Sequence, residues 1–337
     1  IHKMDLIELV SSSFTTYYNA YLIEDFKYFD SLKIEKDIVN HQIFNNKIYN
    51  SNGLIINKIL HDVINVCFPI FGPNGDQCGL YYENYFEDGE DNSHFEFYAP
   101  SSDKTGLWYS NDIPLKTNQN LIITIVDKPI EALSHFQYLK QPRKYVSIFD
   151  LDESTLSQLT NMAVQSKISL YLALNVTIKS FIKEIRILVA FLKFEHQIEF
   201  LEDNTYDIRI KINNSEQKYF SMFIKRISYH NNNKGEQILN TLGDTAARYI
   251  NRDAIEIRKN GKKDIIITIP KNFKTLYAFE KILVNSFPNH IPITIEKPTH
   301  LSWKKQNRIL YDQVKENKKY NYDSLIKEEQ IYVLKMN

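Results

Sequence analysis

Cysteine is nearly missing: the 337 residues hold only Cys67 and Cys78. Two cysteines exclude a disulfide scaffold, and without a second Cys pair a four-ligand structural zinc site has no basis. The two flank "FPIFGPNGDQ", which reads as a hairpin, so they are expected to face each other across it as buried thiols of a reducing compartment. The nine histidines fall into no metal-ligand spacing, and His61, His135 and His196 read as ordinary surface or core residues. Excess charge is missing too. Lys+Arg 41 offset Asp+Glu 41, so no global field draws the chain to nucleic acid or membrane, and any such binding must come from local patches. We find no apolar run long enough to cross a bilayer and read no secretory leader, so a cytoplasmic protein without membrane contact is the expectation.

What is present is a 43% apolar fraction, enough for two or three globular domains with a sizeable core. Residues 1–115 read as a small α+β domain. Helices and loops run to about residue 60, with "IEDFKYFDSLKIEKDIVNHQIF" at helical spacing but broken near Lys33. Two alternating runs then surround a Gly-Pro-Asn-Gly turn in "INVCFPIFGPNGDQCGLYYENY", a hairpin. "SHFEFYAP" and "GLWYSN" continue the antiparallel theme.

From 116 to 195 the pattern alternates. Strands are expected at 120–126, 144–149 and 168–174, and helices at 129–138, 154–165 and 177–193. That order predicts an α/β fold with a mostly parallel sheet. Residues 196–298 contain an internal repeat. "IEFLEDNTYDIRIKIN" from Ile198 and "IEIRKNGKKDIIITIP" from Ile255 align without a gap, Asp207 against Asp264, each followed by an amphipathic helix. We read two ββα-like units side by side, completing or decorating the core, with "EQILNTLGDTAARYIN" as a helix between them. Residues 299–337 read as a charged helical tail.

The segment "NLIITIVDKPIEALSHF" raises a sharper question. A β-branched run stops on Asp127, and Lys-Pro opens a helix at once. Proline suits a first helical turn, where its missing N–H would have no partner. Ligands bind at the carboxyl ends of strands in open α/β sheets, so Asp127 is placed for a site. The plainer alternative is that it serves only as a helix-start acid.

The order of motifs resembles that of TOPRIM domains, found in primases, topoisomerases and related nucleases, and in particular the branch found in mobile-element proteins. In that branch an acid followed by x-Pro-Ile-Asp-Ala-Leu-Ser ends the first strand, and "DKPIEALSHFQ" is similar, with Asp127 in the acid position. A preceding domain of uncharacterised function ends there in a phrase like "GLWYSN", and "THLSWKKQNRIL" looks like the branch's closing Asp-Trp-Asn phrase, with Ser302 where the Asp would be. The resemblance implies a metal site of clustered carboxylates, since Mg²⁺ is a hard cation that takes charged oxygen ligands. This chain departs from it at the third strand. "LALNVT" puts Asn175 and Thr177 where the two metal-binding Asp residues would stand. The resemblance therefore implies a degenerate site in which Asp127 has no anionic partner.

Two rival readings use "FDLDES". It looks like the haloacid-dehalogenase signature, but no downstream acidic pair follows and the strand is the second rather than the first. Alternatively Asp150 and Asp152 converge with Asp127 on a relocated Mg²⁺ site. The bland alternative is a solvated loop with Ser154 as helix N-cap. Two basic patches could contact phosphates or be simply solvated: Arg258, Lys259, Lys262 and Lys263 at a hairpin tip, and Lys304, Lys305 and Arg308 with Trp303, which could stack on a base, though such a residue more often plugs a core edge.

The leading expectation is a non-catalytic TOPRIM-like nucleic-acid- or protein-binding module of a mobile genetic element or related system, with no cofactor. The alternatives are a Mg²⁺-dependent nuclease or primase-like enzyme using Asp127 with Asp150 and Asp152, and a structural subunit of a larger protein assembly.

Overall fold

The computed structural model describes residues 19–56, 59–88, 91–114, 121–164, 168–192, 196–200, 205–211, 217–242, 254–260, 264–287 and 291–316. The chain divides into two compact units, residues 1–175 with 295–337, and residues 176–294. The sequence boundary at 115/116 thus lies inside the first unit, and that at 195/196 inside the second.

The first unit opens with the short strand β1 (Tyr21–Leu22) and two short helices, α1 (Lys27–Ser31) and α2 (Lys36–Val39). The expected break near Lys33 is real: Lys33 adopts φ 60°, a left-handed conformation that no helix interior tolerates. Residues 49–56, within the stretch expected as helices and loops, instead form a strand, β2 (Tyr49–Ile56). It pairs antiparallel with β3 (Ile59–Phe71), which pairs with β4 (Gln77–Asp88), which pairs with β5 (Asp91–Tyr98). The turn between β3 and β4 uses Gly75 at φ 83°, where a side chain would be strained. Cys67 lies opposite Tyr82 rather than Cys78, because the register of this hairpin brings Gly79 opposite Ile70. Both thiols are free.

The second sheet of this unit is α/β. Its core is β7 (Leu121–Val126), flanked in parallel by β8 (Lys144–Ser147) and β9 (Ile168–Leu172). Thr124 is the one polar residue of β7, and the strand is buried from Ile123 onward, as expected of a parallel strand covered on both faces. Helix α3 (Pro129–Leu139) connects β7 to β8 and is buried over nearly its whole length. It ends at Lys140, whose left-handed φ of 52° lets its N–H reach the Phe136 carbonyl. Helix α4 (Glu153–Val164) connects β8 to β9. The third parallel strand lies beside the first, Ile123 opposite Leu170, the arrangement that the TOPRIM resemblance and right-handed crossovers together imply. The sheet order is β14-β9-β7-β8-β6, with β14 (Ile293–Ile295) at one edge and β6 (Trp108–Tyr109) at the other.

β6 is the "GLWYSN" phrase. Its Trp108–Tyr109 strand pairs antiparallel with β8, Trp108 opposite Ser147. The phrase is thus the edge strand of the α/β sheet rather than a piece of a separate domain. Trp108 is fully buried, stacks on Phe44, meets Phe68 edge-on, and donates its indole N–H to the Lys47 carbonyl at 2.8 Å. Asn111 fastens the following turn by donating to the carbonyls of Gln42 and Asn45. The unit closes with helix α8 (Trp303–Glu316), which packs on α3.

In the second unit, helix α5 (Ile178–Ala190) is capped by Thr177, whose hydroxyl accepts the Ser180 N–H at 3.1 Å. Two hairpins follow, β10 (His196–Phe200) with β11 (Thr205–Lys211) and β12 (Glu256–Asn260) with β13 (Asp264–Pro270), in the order β10-β11-β13-β12. The first is followed by helix α6 (Gln217–Leu242) and the second by α7 (Phe273–Ser286). The ββα pair is real, and it is arranged about a local two-fold axis: Arg209 pairs with Ile266, its own counterpart in the repeat. The ungapped alignment holds only for the inner strands. Ile208 pairs with Ile198, but its counterpart Ile265 pairs with Lys259, not with Ile255. The outer strands are displaced by four residues because the second hairpin turns more tightly. The segment from Glu236 to Leu242, expected as part of a separate helix, continues α6; residues 243–251 of that expected helix lie outside the described residues.

Candidate functional site at the end of the first parallel strand

Asp127 is buried, immediately after β7. It does not cap α3. The N-cap is Lys128, in extended conformation and without a side-chain cap bond. Instead the Asp127 carboxylate reaches across to the neighbouring strand end and accepts the Asn175 backbone N–H at 2.8 Å. On the other side its own carbonyl accepts the Ser147 hydroxyl at 3.0 Å. One acidic residue thereby ties together the carboxyl ends of β8, β7 and β9. Asn175, in a position where the resemblance places an acid, contributes its amide N–H to this tie. Its side-chain Oδ1 is buried and accepts no hydrogen bond.

Asp127 is not isolated from other acids, contrary to the expectation. Glu131, one turn into α3, is fully buried, and burial pushes its carboxyl up to about 7. The Lys304 backbone N–H, donating to Glu131 Oε2 at 3.0 Å, opposes that shift, while the Asp127 and Glu83 carboxylates add to it. Glu83, on β4, is buried and accepts the Tyr28 hydroxyl. Lys128 forms an ion pair with Glu96 on β5. Glu131 was missed as a site residue, although the phrase "DKPIEALS" places it at the second acidic position of the resembled motif.

Neither acid of "FDLDES" joins this group. Asp150 is exposed, and Asp152 is exposed at the start of α4. The Asp152 carboxylate accepts the Thr155 N–H at 2.7 Å, so Asp152 rather than Ser154 acts as the helix cap. Phe149 precedes them at φ 32° and packs its buried ring against Tyr81, 4.7 Å between centroids.

The strand end offers a dication little charge. Mg²⁺ is usually held by one or two carboxylates with waters completing its shell; here Asp127 Oδ2 accepts the Asn175 N–H, Glu131, with the Lys304 N–H on Oε2, is pushed toward its protonated form by burial, and Asn175 is neutral. Among the described residues, no three His, Cys, Asp or Glu side chains are grouped so as to hold a metal ion. Glu131 is suited to holding a proton instead, because burial disfavours its charged form and the nearby Asp127 carboxylate adds to that.

A second polar cluster lies beneath α3. His135 is fully buried between the Tyr145 hydroxyl, 3.0 Å from Nδ1, and Glu296 Oε2, 3.0 Å from Nε2. Arg143 donates to the same Glu296 oxygen at 2.8 Å. Burial holds His135 below its ordinary value, against the pull of Glu296. Burial raises Glu296, but His135 and Arg143 outweigh it and leave its carboxyl lowered. Neutral His135 with the proton on Nε2 satisfies both contacts, donating to Glu296 and accepting from Tyr145. His135 is therefore a connector between the sheet and the residues after β14, not an incidental core residue.

The tail patch changes meaning in three dimensions. Trp303 is buried, donates its indole N–H to the Ala173 carbonyl at 2.7 Å and meets His135 edge-on at 4.4 Å. It plugs the core and offers no face to a base. Lys305 and Arg308 are exposed and Lys304 is half-buried. Of the hairpin-tip patch, Arg258 is exposed and donates to the Thr268 hydroxyl at 2.7 Å. The side chain of Lys259, and Lys262 and Lys263 altogether, lie outside the described residues. No helix among the described residues is long and apolar enough to cross a membrane.

No protein-family model matches the chain, and no curated protein matches it. Among solved structures, the Aquifex aeolicus primase, with its zinc-binding and RNA polymerase domains, matches 52% of this chain and 49% of its own at 13% identity and TM-score 0.34. The primase fragment of the bacteriophage T7 primase-helicase protein matches 51% of this chain and 66% of its own, at 10% identity and TM-score 0.33. The DnaG catalytic core matches 49% and 59%, at 10% and TM-score 0.33. At such identities and scores no function transfers from any of these proteins.

Proposed function

We propose that this chain is a TOPRIM-like module that binds nucleic acid, as part of a mobile genetic element or related system, and that its strand-end site is structural rather than catalytic. The observation that carries this reading is the hydrogen bond from the Asn175 N–H to Asp127. It commits the one acid at the expected strand end to holding the sheet together. The substitution of Asn175 and Thr177 for acids supports the same reading: the first supplies a backbone donor, the second a helix cap. Phosphoryl transfer of the two-metal kind needs charge at these positions. Exposed Lys305, Arg308 and Arg258 favour contact with phosphates.

The test combines calorimetric titration of Mg²⁺ and Mn²⁺ with assays of plasmid nicking and primer synthesis, on the intact chain and on Asp127→Asn, which keeps an acceptor for the Asn175 N–H. The expected result is nucleic-acid binding with neither saturable metal uptake nor strand chemistry. Saturable uptake together with nicking that Asp127→Asn abolishes would establish the enzyme reading instead. Asp150→Ala and Asp152→Ala would then show whether "FDLDES" supplies the missing ligands.

A further inference from the structure

Helix α6 has one face firmly packed. Phe223 is fully buried against Phe279 and Phe287, and Ile227 is buried beside it. One turn on, Asn231 clamps the helix to the start of β12, donating to the Ile255 carbonyl at 2.9 Å and accepting the Ile255 N–H at 3.1 Å. This anchoring fixes which residues point outward.

The outward stripe is unusual for a solvated helix. Tyr219, Met222, Arg226 and Tyr229 recur at helical spacing, with Lys225 beside them. Tyr229 is 70% exposed, and Tyr219 and Met222 are each 38% exposed. Among the described residues, none of these five side chains is held by a hydrogen bond, ion pair or ring contact. From Gln217 to Gly235 the sequence contains Lys218, Lys225, Arg226 and Lys234 and no Asp or Glu. A helix surface in water ordinarily mixes charges of both signs. Here only one sign is present, interleaved with exposed aromatic rings.

We infer that this face of α6 is a docking surface for single-stranded nucleic acid. The inference rests on the nucleic-acid reading above and assigns it a place. Tyrosine rings stack on bases without regard to sequence, and the neighbouring cations neutralise the backbone phosphates. Tyr219 and Tyr229 are ten residues apart, about 15 Å along the helix, so two bases separated along one strand can stack while Lys225 and Arg226 meet the phosphates between them. Duplex DNA, whose bases are already stacked, offers no ring faces to these tyrosines.

The test is fluorescence anisotropy of labelled oligo(dT) with the intact chain, across a salt series, with labelled duplex and anionic phosphatidylserine vesicles as competitors. Tyr229→Ala and Tyr219→Ala should each weaken oligo(dT) binding about tenfold, while Tyr229→Phe should retain it. The double variant Lys225→Ala/Arg226→Ala should lower the slope of log K against log salt by about 1.4. Circular dichroism on each variant checks the fold, and so exposed a ring as Tyr229 can be removed without disturbing it. If the chain binds oligo(dT) and every variant binds it equally well, the site is elsewhere: the inference falls and the nucleic-acid reading stands. Preference for duplex or for vesicles overturns the inference too. Failure to bind either nucleic acid at low salt overturns both.

Discussion

The Asp127 carboxylate accepts the backbone N–H of Asn175, 48 residues further along the chain, at 2.8 Å. A residue placed like a metal ligand is thereby a brace between the ends of two parallel strands. Hydrogen bonds to a charged acceptor contribute about 1.5–3 kcal/mol. Asp127→Ala should therefore destabilise the fold by about 2 kcal/mol, and Asp127→Asn by less. Urea unfolding followed by circular dichroism measures both; equal stability of wild type and Asp127→Ala would refute the brace.

Glu131 gives the stability a pH dependence of definite sign. Its carboxyl is raised from 4.5 to about 7 in the folded chain, so folding favours the protonated form. Its contribution is fully present below the unfolded value and is lost as pH rises through about 7. Glu131→Gln keeps an acceptor for Lys304 and cannot ionise. Its advantage over wild type should grow between pH 5 and pH 8 to a few kcal/mol, on the order of 3 from the size of the shift. Parallel stability profiles for the two proteins would show that Glu131 does not titrate in this range.

The cluster of His135, Tyr145, Arg143 and Glu296 acts in the opposite direction. His135 is held below its ordinary value and Glu296 is lowered as well. Both shifts favour folding at neutral pH, and both contributions are lost on acidification, His135's as pH falls through the unfolded histidine range and Glu296's at lower pH. His135→Gln should flatten the acid limb of the stability profile near pH 6. An unchanged limb would mean that His135 titrates alike in the folded and the unfolded chain.

Trp303 should behave as a core residue. Trp303→Ala is expected to cost about 3–5 kcal/mol, and Trp303→Phe about 1 kcal/mol for the lost bond to Ala173. Affinity of the Trp303→Phe variant for oligo(dT) should equal that of wild type. A stable Trp303→Phe protein with weakened nucleic-acid binding would restore the stacking role.

The chain's local grammar is legible because its causes are local. The β-branched run before Asp127, Pro129 at the first helical turn, the break at Lys33 and the glycine turn at Gly75 each depend on a few adjacent residues. Their outcome, strand-acid-helix and antiparallel hairpins, follows from dihedral preferences and burial periodicity alone. The parallel pairing of β7 with β9 was within reach only through the TOPRIM resemblance, since crossover handedness alone does not choose which strand lies beside β7.

What needed the tertiary structure is everything set by distant partners. Nothing near Asp127 shows that its carboxylate goes to Asn175, nor that Lys304 from the far end of the chain donates to Glu131. The sequence around Trp303 admits both a base-stacking face and a core plug, and the structure decides for the plug, with one face of α8 turning the indole onto Ala173 and His135. The repeat aligned without a gap, but the outer strands slid by four residues because turn length, not side-chain similarity, fixes hairpin register. Periodicity determined which elements this protein has; long-range hydrogen bonding and burial decided what each acid, tryptophan and tyrosine in them is available to do.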